Sequence, residues 1–254
     1  LTMNKKKVIL SLSGHDPSGG AGLQIDILTS QFFDFHCVSS LTCQTVQTAK
    51  KLHKVTPTEL EFFKQNLRQI LKDSDISGIK VGALACKTIA LEIMNVISSM
   101  NVPIVIDPII LSGSGERFIE KEDLIFYRDN FYPHSSLLTP NIAELKMLTK
   151  KESEKESIKF LLSKGIENIY VTGKVENNKI INSLYSKGVL LQKTESDYLD
   201  KAIHGTGCAL STAILCNLVN QKGLKDSCLI SHKLLSNLVH KSFETNGQDI
   251  LSFK

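Results

Sequence analysis

The sequence predicts an α/β fold in which helices flank both faces of a central, mostly parallel β-sheet. Short apolar runs rich in β-branched residues alternate with longer segments of helical periodicity, an order typical of βαβ units. The 254 residues are 42% hydrophobic, enough for one large core, so a single domain over residues 1–254 is expected.

The elements follow one another regularly. The predicted strands are Val8–Ser13, Val38–Gln47, Ile76–Gly82, Pro103–Asp107, Ser136–Thr139 and Ile169–Thr172. The predicted helices between them are Gly22–Phe33, Pro57–Lys72, Lys87–Met100, Lys121–Asn130, Ile142–Leu148 and Glu154–Ser163. The second helix has a start signal, with Thr56 as the cap, Pro57 in the first turn and Glu59 three residues after the cap.

The last third of the chain departs from this alternation. Residues Ile180–Thr194 form two short apolar runs around Lys187–Gly188, which predicts a small antiparallel hairpin at the sheet edge. Helical periodicity then returns in two stretches, Gly207–Asn220 and Lys225–Thr245.

Composition limits the possible partners and the compartment. A net charge of +4, from 30 basic and 26 acidic residues, is too small and too scattered to predict nucleic-acid binding. No apolar stretch approaches the roughly 18 residues that a membrane span needs. The six cysteines include no C-x-x-C pair, which favours a reducing compartment. We therefore expect a cytoplasmic protein that contacts neither membrane nor nucleic acid.

The strongest local motif is His204-Gly205-Thr206-Gly207-Cys208, directly before a helical run. Main-chain amides at a helix start have no intrahelical acceptor, and with the helix dipole they form an anion site. Such a site stabilises a migrating phosphoryl group, and the same position lowers the pKa of a cysteine, so Cys208 is a candidate thiolate base. A glycine-rich cap with an inert cysteine is the alternative.

A second glycine-rich loop, Ser13–Gly22, follows the first predicted strand. Its glycines permit close approach of the backbone to a ligand, and Asp16 is a candidate substrate-binding residue at the rim. The loop is not a P-loop, because no lysine followed by serine or threonine closes it, and it fails the G-x-G-x-x-G pattern. An ordinary strand-to-helix turn is the alternative.

Polar side chains also follow the inner strands. Asp107 ends one strand, and burying a carboxylate is costly unless it is paired or binds a metal. Asn141 and Glu144 lie one helical turn apart after the next strand, so the three side chains could hold Mg²⁺. Alternatively, Asn141 only caps a helix and Glu144 faces solvent. Gln47 ends another strand, and its amide can donate and accept side by side, as an aminopyrimidine edge requires.

Taken together, these segments resemble the hydroxymethylpyrimidine/phosphomethylpyrimidine kinases of thiamine synthesis. The resemblance covers about residues 7–220, with the motifs in the same order. The matching segments are Ser13–Asp26, Leu41–Gln47, Lys80–Ala85, Ile106–Gly115, Thr139–Glu144 and His204–Leu210. The resemblance implies a ribokinase-like fold, ATP and Mg²⁺ as cofactors, an aminopyrimidine alcohol as the small-molecule substrate, and a homodimer.

The resemblance also implies roles for individual residues. Cys208 is expected to be the catalytic base, and the amides from Gly205 through Thr206 and Gly207 to Cys208 are expected to form the anion hole. The residues expected to hold the substrate are Gly14, Asp16 and Gln47, with Ala21 and Ala83 lining its pocket. The residues expected at the nucleotide and the metal are Asp107, Asn141, Glu144 and Gly173, of which Asp107 and Glu144 are the metal ligands.

Four departures from the family pattern stand out. Ala83 replaces a common methionine, which reshapes the substrate pocket, and Tyr170–Lys174 replaces a Lys-Gly-Gly-His-like nucleotide segment. Ala202-Ile203 stands where polar residues are usual, and Asn246–Gln248 is a remnant of a glycine-rich, histidine-bearing C-terminus.

Three other functions remain open on the sequence. A pyridoxal kinase with the same cysteine-bearing loop is one, and the departure at Ala83 keeps it open. A catalytically silent regulator that binds a vitamin or a nucleotide is another, suggested by the altered nucleotide segment. A sugar kinase fits less well, because sugar kinases of the superfamily usually carry aspartate where Cys208 stands.

Overall fold

The computed structural model describes residues 6–254, so residues 1–5 of the predicted domain lie outside it. Within the described range, a nine-stranded sheet forms the centre of the molecule. Its strands are β1 (Val8–His15), β2 (His36–Gln47), β3 (Leu52–Pro57), β4 (Ile76–Val81), β5 (Ile104–Ile106), β6 (Leu137–Leu138), β7 (Asn168–Glu176), β8 (Lys179–Ser186) and β9 (Val189–Asp197). A separate parallel pair joins β10 (Ile203–His204) to β11 (Asp249–Ile250).

The strands lie in the order β3-β2-β1-β4-β5-β6-β7-β8-β9. The pairs from β2 to β7 are parallel, whereas β3 at one edge and β8 and β9 at the other are antiparallel. From β1 the chain first adds strands on one side and then returns to add β4 on the other, so a crevice opens beyond the carboxyl ends of β1 and β4. The predicted fold class is confirmed.

Helices cover both faces of the sheet. They are α1 (Gly22–Phe32), α2 (Leu60–Asp73), α3 (Lys87–Ile97), α4 (Leu124–Phe126), α5 (Ile142–Thr149), α6 (Glu154–Leu162), α7 (Thr206–Val219) and α8 (Leu224–His240). Among these described helices, none combines the length and the apolar character that a membrane crossing demands.

Alternating side chains of β1 show how the two faces are sealed. Leu10 and Leu12 belong to the core that includes Phe63 of α2. Ile9 belongs to the core on the opposite face, with Leu215 of α7 and Cys228 of α8. This division follows from the strand geometry, in which successive side chains point to opposite sides.

The predicted start of the second helix is wrong. Residues Leu52–Pro57 pair with β2 as an antiparallel edge strand, which the sequence analysis missed. Thr56 and Pro57 therefore belong to a strand, and α2 begins at Leu60. The cap is Glu59, whose carboxylate accepts hydrogen bonds from the amides of Glu61 and Phe62. A proline is tolerated at the end of an edge strand because its missing amide leaves no ladder bond unmade.

Other boundaries differ where local packing is irregular. The predicted helix Lys121–Asn130 is only a short turn, α4, which continues into a π-turn at Tyr127–Phe131. The last helix ends at His240, because the chain beyond it turns back to add β11 beside β10. The edge hairpin around Lys187–Gly188 is confirmed, and both turn residues have positive φ.

A buried ion pair joins the helices to the centre of the sheet. Lys80 of β4 lies 3.0 Å from Asp26 of α1, and both side chains are fully buried. Ser11 and Ser13 of β1 donate hydrogen bonds to Asp26 at 2.6 and 2.8 Å, and Thr212 of α7 donates another at 2.9 Å. Burial alone would lower the pKa of Lys80, but the neighbouring acidic groups, led by Asp26 and including Cys208 and Asp107, together outweigh burial and raise it. The ammonium and the carboxylate are thus each fully partnered.

The substitution Lys80→Met is expected to destabilise the fold by about 3–5 kcal/mol, because it leaves the Asp26 carboxylate buried without a counter-charge. Urea unfolding followed by circular dichroism measures this loss. The double variant K80M/D26N should lose less than K80M, because no uncompensated charge remains buried.

The matched control removes an exposed lysine, Lys179, which pairs with Asp197 on the β8–β9 surface. Lys179→Met should leave the unfolding midpoint nearly unchanged, since exposed ion pairs contribute little. An equally mild effect of Lys80→Met would contradict the structural role of the buried pair.

Candidate active site

All of the predicted site residues line one cleft at the carboxyl ends of the parallel strands. The cleft has a volume of about 530 Å³. Its lining includes Gly14, Asp16, Ala21, Gln47, Ala83, Asp107, Asn141, Glu144, Gly173, Gly205, Thr206, Gly207 and Cys208. The sequence motifs, which are far apart along the chain, therefore meet in one place.

The start of α7 is shaped by a glycine turn. Gly205 occupies the N-cap position with φ +82°, a conformation that favours glycine, and a Cβ there would collide with the carbonyl oxygen of Gly20. Because Gly205 has no side chain to cap the helix, the amides of Thr206, Gly207 and Cys208 are left without a local side-chain acceptor. These residues line the cleft, so the helix start presents its amides and its positive dipole end to a bound anion.

Cys208 lies at this helix start but is not a preformed thiolate. Its side chain is only 5% exposed, and burial raises the pKa of the thiol to about 12. The charge of Lys80 acts in the opposite direction but does not offset burial. The expectation of a lowered pKa for Cys208 is therefore wrong, because desolvation of the charged form outweighs the favourable field of the helix start.

Two buried carboxyl groups face the cleft near α7. Asp107 is 5% exposed and Glu144 6% exposed. Burial raises the pKa of Asp107 to about 6 and that of Glu144 to about 8, and the charge of Asp107 adds to the shift of Glu144. A Cβ added to Gly207 would lie 3.4 Å from Asp107, so the carboxylate lies close against the first turn of α7.

Asn141 and Glu144 form a reciprocal cap on α5. The Asn141 side chain accepts a hydrogen bond from the main-chain N–H of Glu144 at 2.9 Å. The Glu144 carboxylate accepts one from the main-chain N–H of Asn141, also at 2.9 Å. The capping role considered for Asn141 is thus confirmed, but Glu144 is buried against the cleft and does not face solvent. Besides the Asn141 amide, the Glu144 carboxylate accepts a hydrogen bond from the main-chain amide of Ile110.

Another part of the cleft is lined by Gly14 and Ala83 together with the polar side chains of Asp16 and Gln47. A Cβ added to Gly14 would lie 2.8 Å from the sulfur of Cys43 and 3.6 Å from the Cβ of Ala83. Gln47 supplies a polar group here, and its amide lies 3.0 Å from the ring of His204. His204 in turn lies 2.8 Å from the carboxylate of Asp16.

Gly173 lies in an irregular part of β7. It has φ +75°, and its amide donates a hydrogen bond to the buried side chain of Asn182. Tyr170 of the same segment is buried and bonds to Thr194 at 2.7 Å, so it stabilises the antiparallel edge. In the segment that replaces the usual nucleotide motif, Gly173 thus lines the cleft, but its main-chain N–H is already hydrogen-bonded to Asn182.

The other departures from the family pattern also lie at the cleft. Ala202 and Ile203 line it, next to His204. Gln248 of the C-terminal remnant also lines the cleft, and its main-chain N–H donates a hydrogen bond to the carbonyl of Ala49 at 2.9 Å. The remnant therefore closes one side of the cleft.

Sequence reasoning gave no role to two residues that organise the site. His204 connects Gln47 to Asp16, and its position directly before the glycine turn was the available signal. Lys80 forms the buried ion pair with Asp26 of α1. A charged lysine inside an apolar inner strand is costly to bury, so its presence there indicates a buried partner.

Comparison with known proteins agrees with this geometry. The sequence matches the family model described as phosphomethylpyrimidine kinase over residues 16–251. A hydroxymethylpyrimidine/phosphomethylpyrimidine kinase of Aquifex aeolicus is 30% identical over 254 residues, which cover 97% of this chain and all of that protein.

Two solved structures share the fold. The pyridoxal kinase of Staphylococcus aureus in complex with pyridoxal has a TM-score of 0.88 at 21% identity, covering 98% of this chain and 93% of that one. The phosphomethylpyrimidine kinase of Clostridium difficile has a TM-score of 0.79 at 23% identity, covering 92% of this chain and all of that one. The predicted ribokinase-like fold and the predicted family are both confirmed: the chain belongs to the phosphomethylpyrimidine kinase family.

Proposed function

We propose that the protein transfers the γ-phosphoryl group of ATP to the hydroxymethyl oxygen of 4-amino-5-hydroxymethyl-2-methylpyrimidine, and then phosphorylates the monophosphate to the pyrophosphate. The single observation that carries the proposal is the position of the α7 start. His204, next to Gly205, contacts Gln47 on one side, and Gly207 faces Asp107 on the other. An alcohol and a phosphate donor bound at these two ends would meet at the anion hole.

The anion hole contributes fixed positive charge. The amides of Gly205 to Cys208 would hold the oxygens of the migrating phosphoryl group, whose negative charge is spread over those oxygens in a loose transition state. The glycine turn is locked against Gly20, so the amides need no rearrangement when the charge develops. Gly14 and Ala83, which also line the cleft, would orient the substrate.

Cys208 is proposed to accept the hydroxymethyl proton. Because the pKa of the thiol is about 12, only a small thiolate fraction exists near neutral pH, but that fraction is a strong base. Asp107 lies against the first turn of α7, and burial raises its pKa to about 6, so without a bound metal it is ionised at neutral pH and is the alternative proton acceptor to Cys208. The two possibilities give different pH profiles.

The carboxylates of Asp107 and Glu144 fit a magnesium ion. Both pKa values are raised by burial, so a cation between these side chains would relieve the cost of their ionisation. No cluster of three His, Cys, Asp or Glu side chains suited to a metal exists within residues 6–254, and Mg²⁺ typically takes only one or two carboxylates, with water and substrate phosphates as its other ligands. When bound, the ion would neutralise charge on the nucleotide phosphates.

ATP as the donor is supported by relatives of the same fold. The Staphylococcus aureus pyridoxal kinase is described in complexes with ADP and with AMP-PCP. In this chain, Asn141, Glu144 and Gly173 would attend the nucleotide. The homodimer and the cytoplasmic location stay predictions.

Pyridoxal phosphorylation is the second candidate function. Two observations favour it: Ala83 lines the substrate end where the family commonly has methionine, and the pyridoxal kinase structure superposes over nearly the whole chain. Both candidate substrates carry a hydroxymethyl group on a six-membered ring, so the same anion hole would serve either.

A substrate panel tests the proposed function. With ATP and Mg²⁺, purified protein is expected to turn over the hydroxymethylpyrimidine and its monophosphate, with kcat/KM at least about tenfold above that for pyridoxal. Coupled detection of ADP measures each rate. Faster turnover of pyridoxal than of the hydroxymethylpyrimidine would contradict the proposal and identify the protein as a pyridoxal kinase. Calorimetric binding of these ligands without any turnover would instead indicate a silent regulator.

Replacing the thiol tests the proposed base. Cys208→Ala is expected to lower kcat by about 10²-fold or more with little change in KM, because the proton acceptor is lost while the binding groups remain. Cys86→Ala, outside the cleft, is the control and should match the parent protein.

The pH profile then separates the two acceptors. A base with a pKa of about 12 predicts that kcat/KM keeps rising from about pH 7 to about pH 9, because the thiolate fraction grows tenfold per unit. A profile that is level above pH 7 and survives Cys208→Ala would assign the proton to Asp107 instead.

A further inference from the structure

One ring nitrogen of His204 meets two polar groups at the substrate end of the cleft. Its Nε2 lies 2.8 Å from a carboxylate oxygen of Asp16 and 3.0 Å from the side-chain nitrogen, Nε2, of Gln47. A single nitrogen is either a donor or an acceptor, so the two contacts together decide where the protons lie.

Asp16 decides the role of that nitrogen. Its carboxylate accepts hydrogen bonds from the amide and the hydroxyl of Ser18, and burial, which raises its pKa, is outweighed by His204 and Ser18, so that the pKa is lowered. An ionised carboxylate only accepts, and therefore Nε2 of His204 carries the proton.

The orientation of the Gln47 amide follows. The structure places Nε2 of Gln47 3.0 Å from Nε2 of His204. A protonated ring nitrogen cannot accept a hydrogen bond from an N–H group, so this placement would set two donors against each other, and a half-turn of the amide, which brings Oε1 to the same position, is required. The oxygen and the nitrogen of a carboxamide exchange places by a half-turn and are assigned from their partners. Oε1 of Gln47 thus faces His204, and the N–H₂ group lies on the other side.

His204 is itself held in place. It lies in β10, paired with Ile250 of β11, and its side chain is only 11% exposed. A Cβ added to Gly20 would lie 2.5 Å from the His204 ring, so the ring is packed directly on that glycine. The imidazole is therefore a fixed reference for the amide.

The order of donor and acceptor along the amide distinguishes the two candidate substrates. In the aminopyrimidine, the carbon next to the hydroxymethyl-bearing carbon carries an amino group, a donor, and the following ring atom is a nitrogen, an acceptor. Pyridoxal carries a formyl oxygen, an acceptor, and then a hydroxyl group at the equivalent positions. An amide whose oxygen meets the first position and whose N–H meets the second fits the aminopyrimidine, and the flipped amide fits pyridoxal.

We propose that His204 is a positioning residue that sets substrate specificity, by preventing the flip of the Gln47 amide that would suit pyridoxal. In the proposed function the hydroxymethyl oxygen lies at the α7 start, next to His204, so the first ring position is nearer to His204 than the second. A flip would point N–H of Gln47 at N–H of His204 and would reverse the order that the aminopyrimidine requires. This inference rests on the proposed function, because it takes the substrate from it. The proton on Nε2 of His204, however, can be tested in the protein without any substrate.

The variant His204→Phe tests the specificity role, because phenylalanine keeps an aromatic ring against Gly20 but has no proton to offer. The ratio of kcat/KM for the hydroxymethylpyrimidine to kcat/KM for pyridoxal is expected to fall about tenfold, the factor of one misdirected hydrogen bond. His240→Phe, another cleft-lining histidine, is the matched control and should keep the parent ratio. An equal loss for both substrates, or no loss, would overturn the proposal.

A second measurement needs neither a variant nor a substrate. Nitrogen NMR of histidine-labelled protein, with His204→Phe used to assign the signal, reports which ring nitrogen carries the proton. A protonated Nε2 is expected, and a bare Nε2 would overturn the inference. If the parent protein turned over neither substrate, the proposed function would fail, while this experiment would still decide the state of His204.

Discussion

A buried ion pair between Lys80 and Asp26 holds together the elements from which the cleft is built. Asp26 belongs to α1 and accepts a hydrogen bond from Thr212 of α7, while Lys80 anchors it to the middle of the sheet. The two helices that begin at the glycine-rich loops are thereby fixed to one carboxylate. Gly82 is part of the same constraint, because a Cβ there would lie 2.6 Å from the Lys80 ammonium.

The two glycine-rich loops next to this ion pair pack against each other through their backbones. A Cβ on Gly205 of the second loop would collide with the carbonyl oxygen of Gly20 in the first loop, and a Cβ on Gly20 would collide with the ring of His204. The approach brings the start of α7 beside the substrate end of the cleft and packs His204 between the two loops. The contact between the two loops therefore determines how the protein binds the anion, accepts the proton and orients the substrate. The buried Lys80–Asp26 pair sets the position of this contact.

The sequence predicted the parts of this architecture that rest on local pattern. Alternating apolar runs gave the parallel sheet, and the ordered glycine motifs gave every predicted site residue a place in one cleft. It failed where a distant partner decides the outcome. Residues 52–57 form a strand only because β2 offers an edge, and the pKa of the Cys208 thiol is raised, not lowered, because the fold buries it. The bond between His204 and Gln47 spans 157 positions, and no local pattern encodes it.

The central claim is that the amides at the α7 start hold the phosphoryl group during transfer. A crystal structure with ADP, Mg²⁺, the hydroxymethylpyrimidine and aluminium fluoride, which imitates the migrating group, tests it most directly. The account predicts fluorine atoms about 3 Å from the amide nitrogens of Gly205 to Cys208. Aluminium fluoride bound elsewhere in the cleft, with those amides turned away from it, would contradict the account.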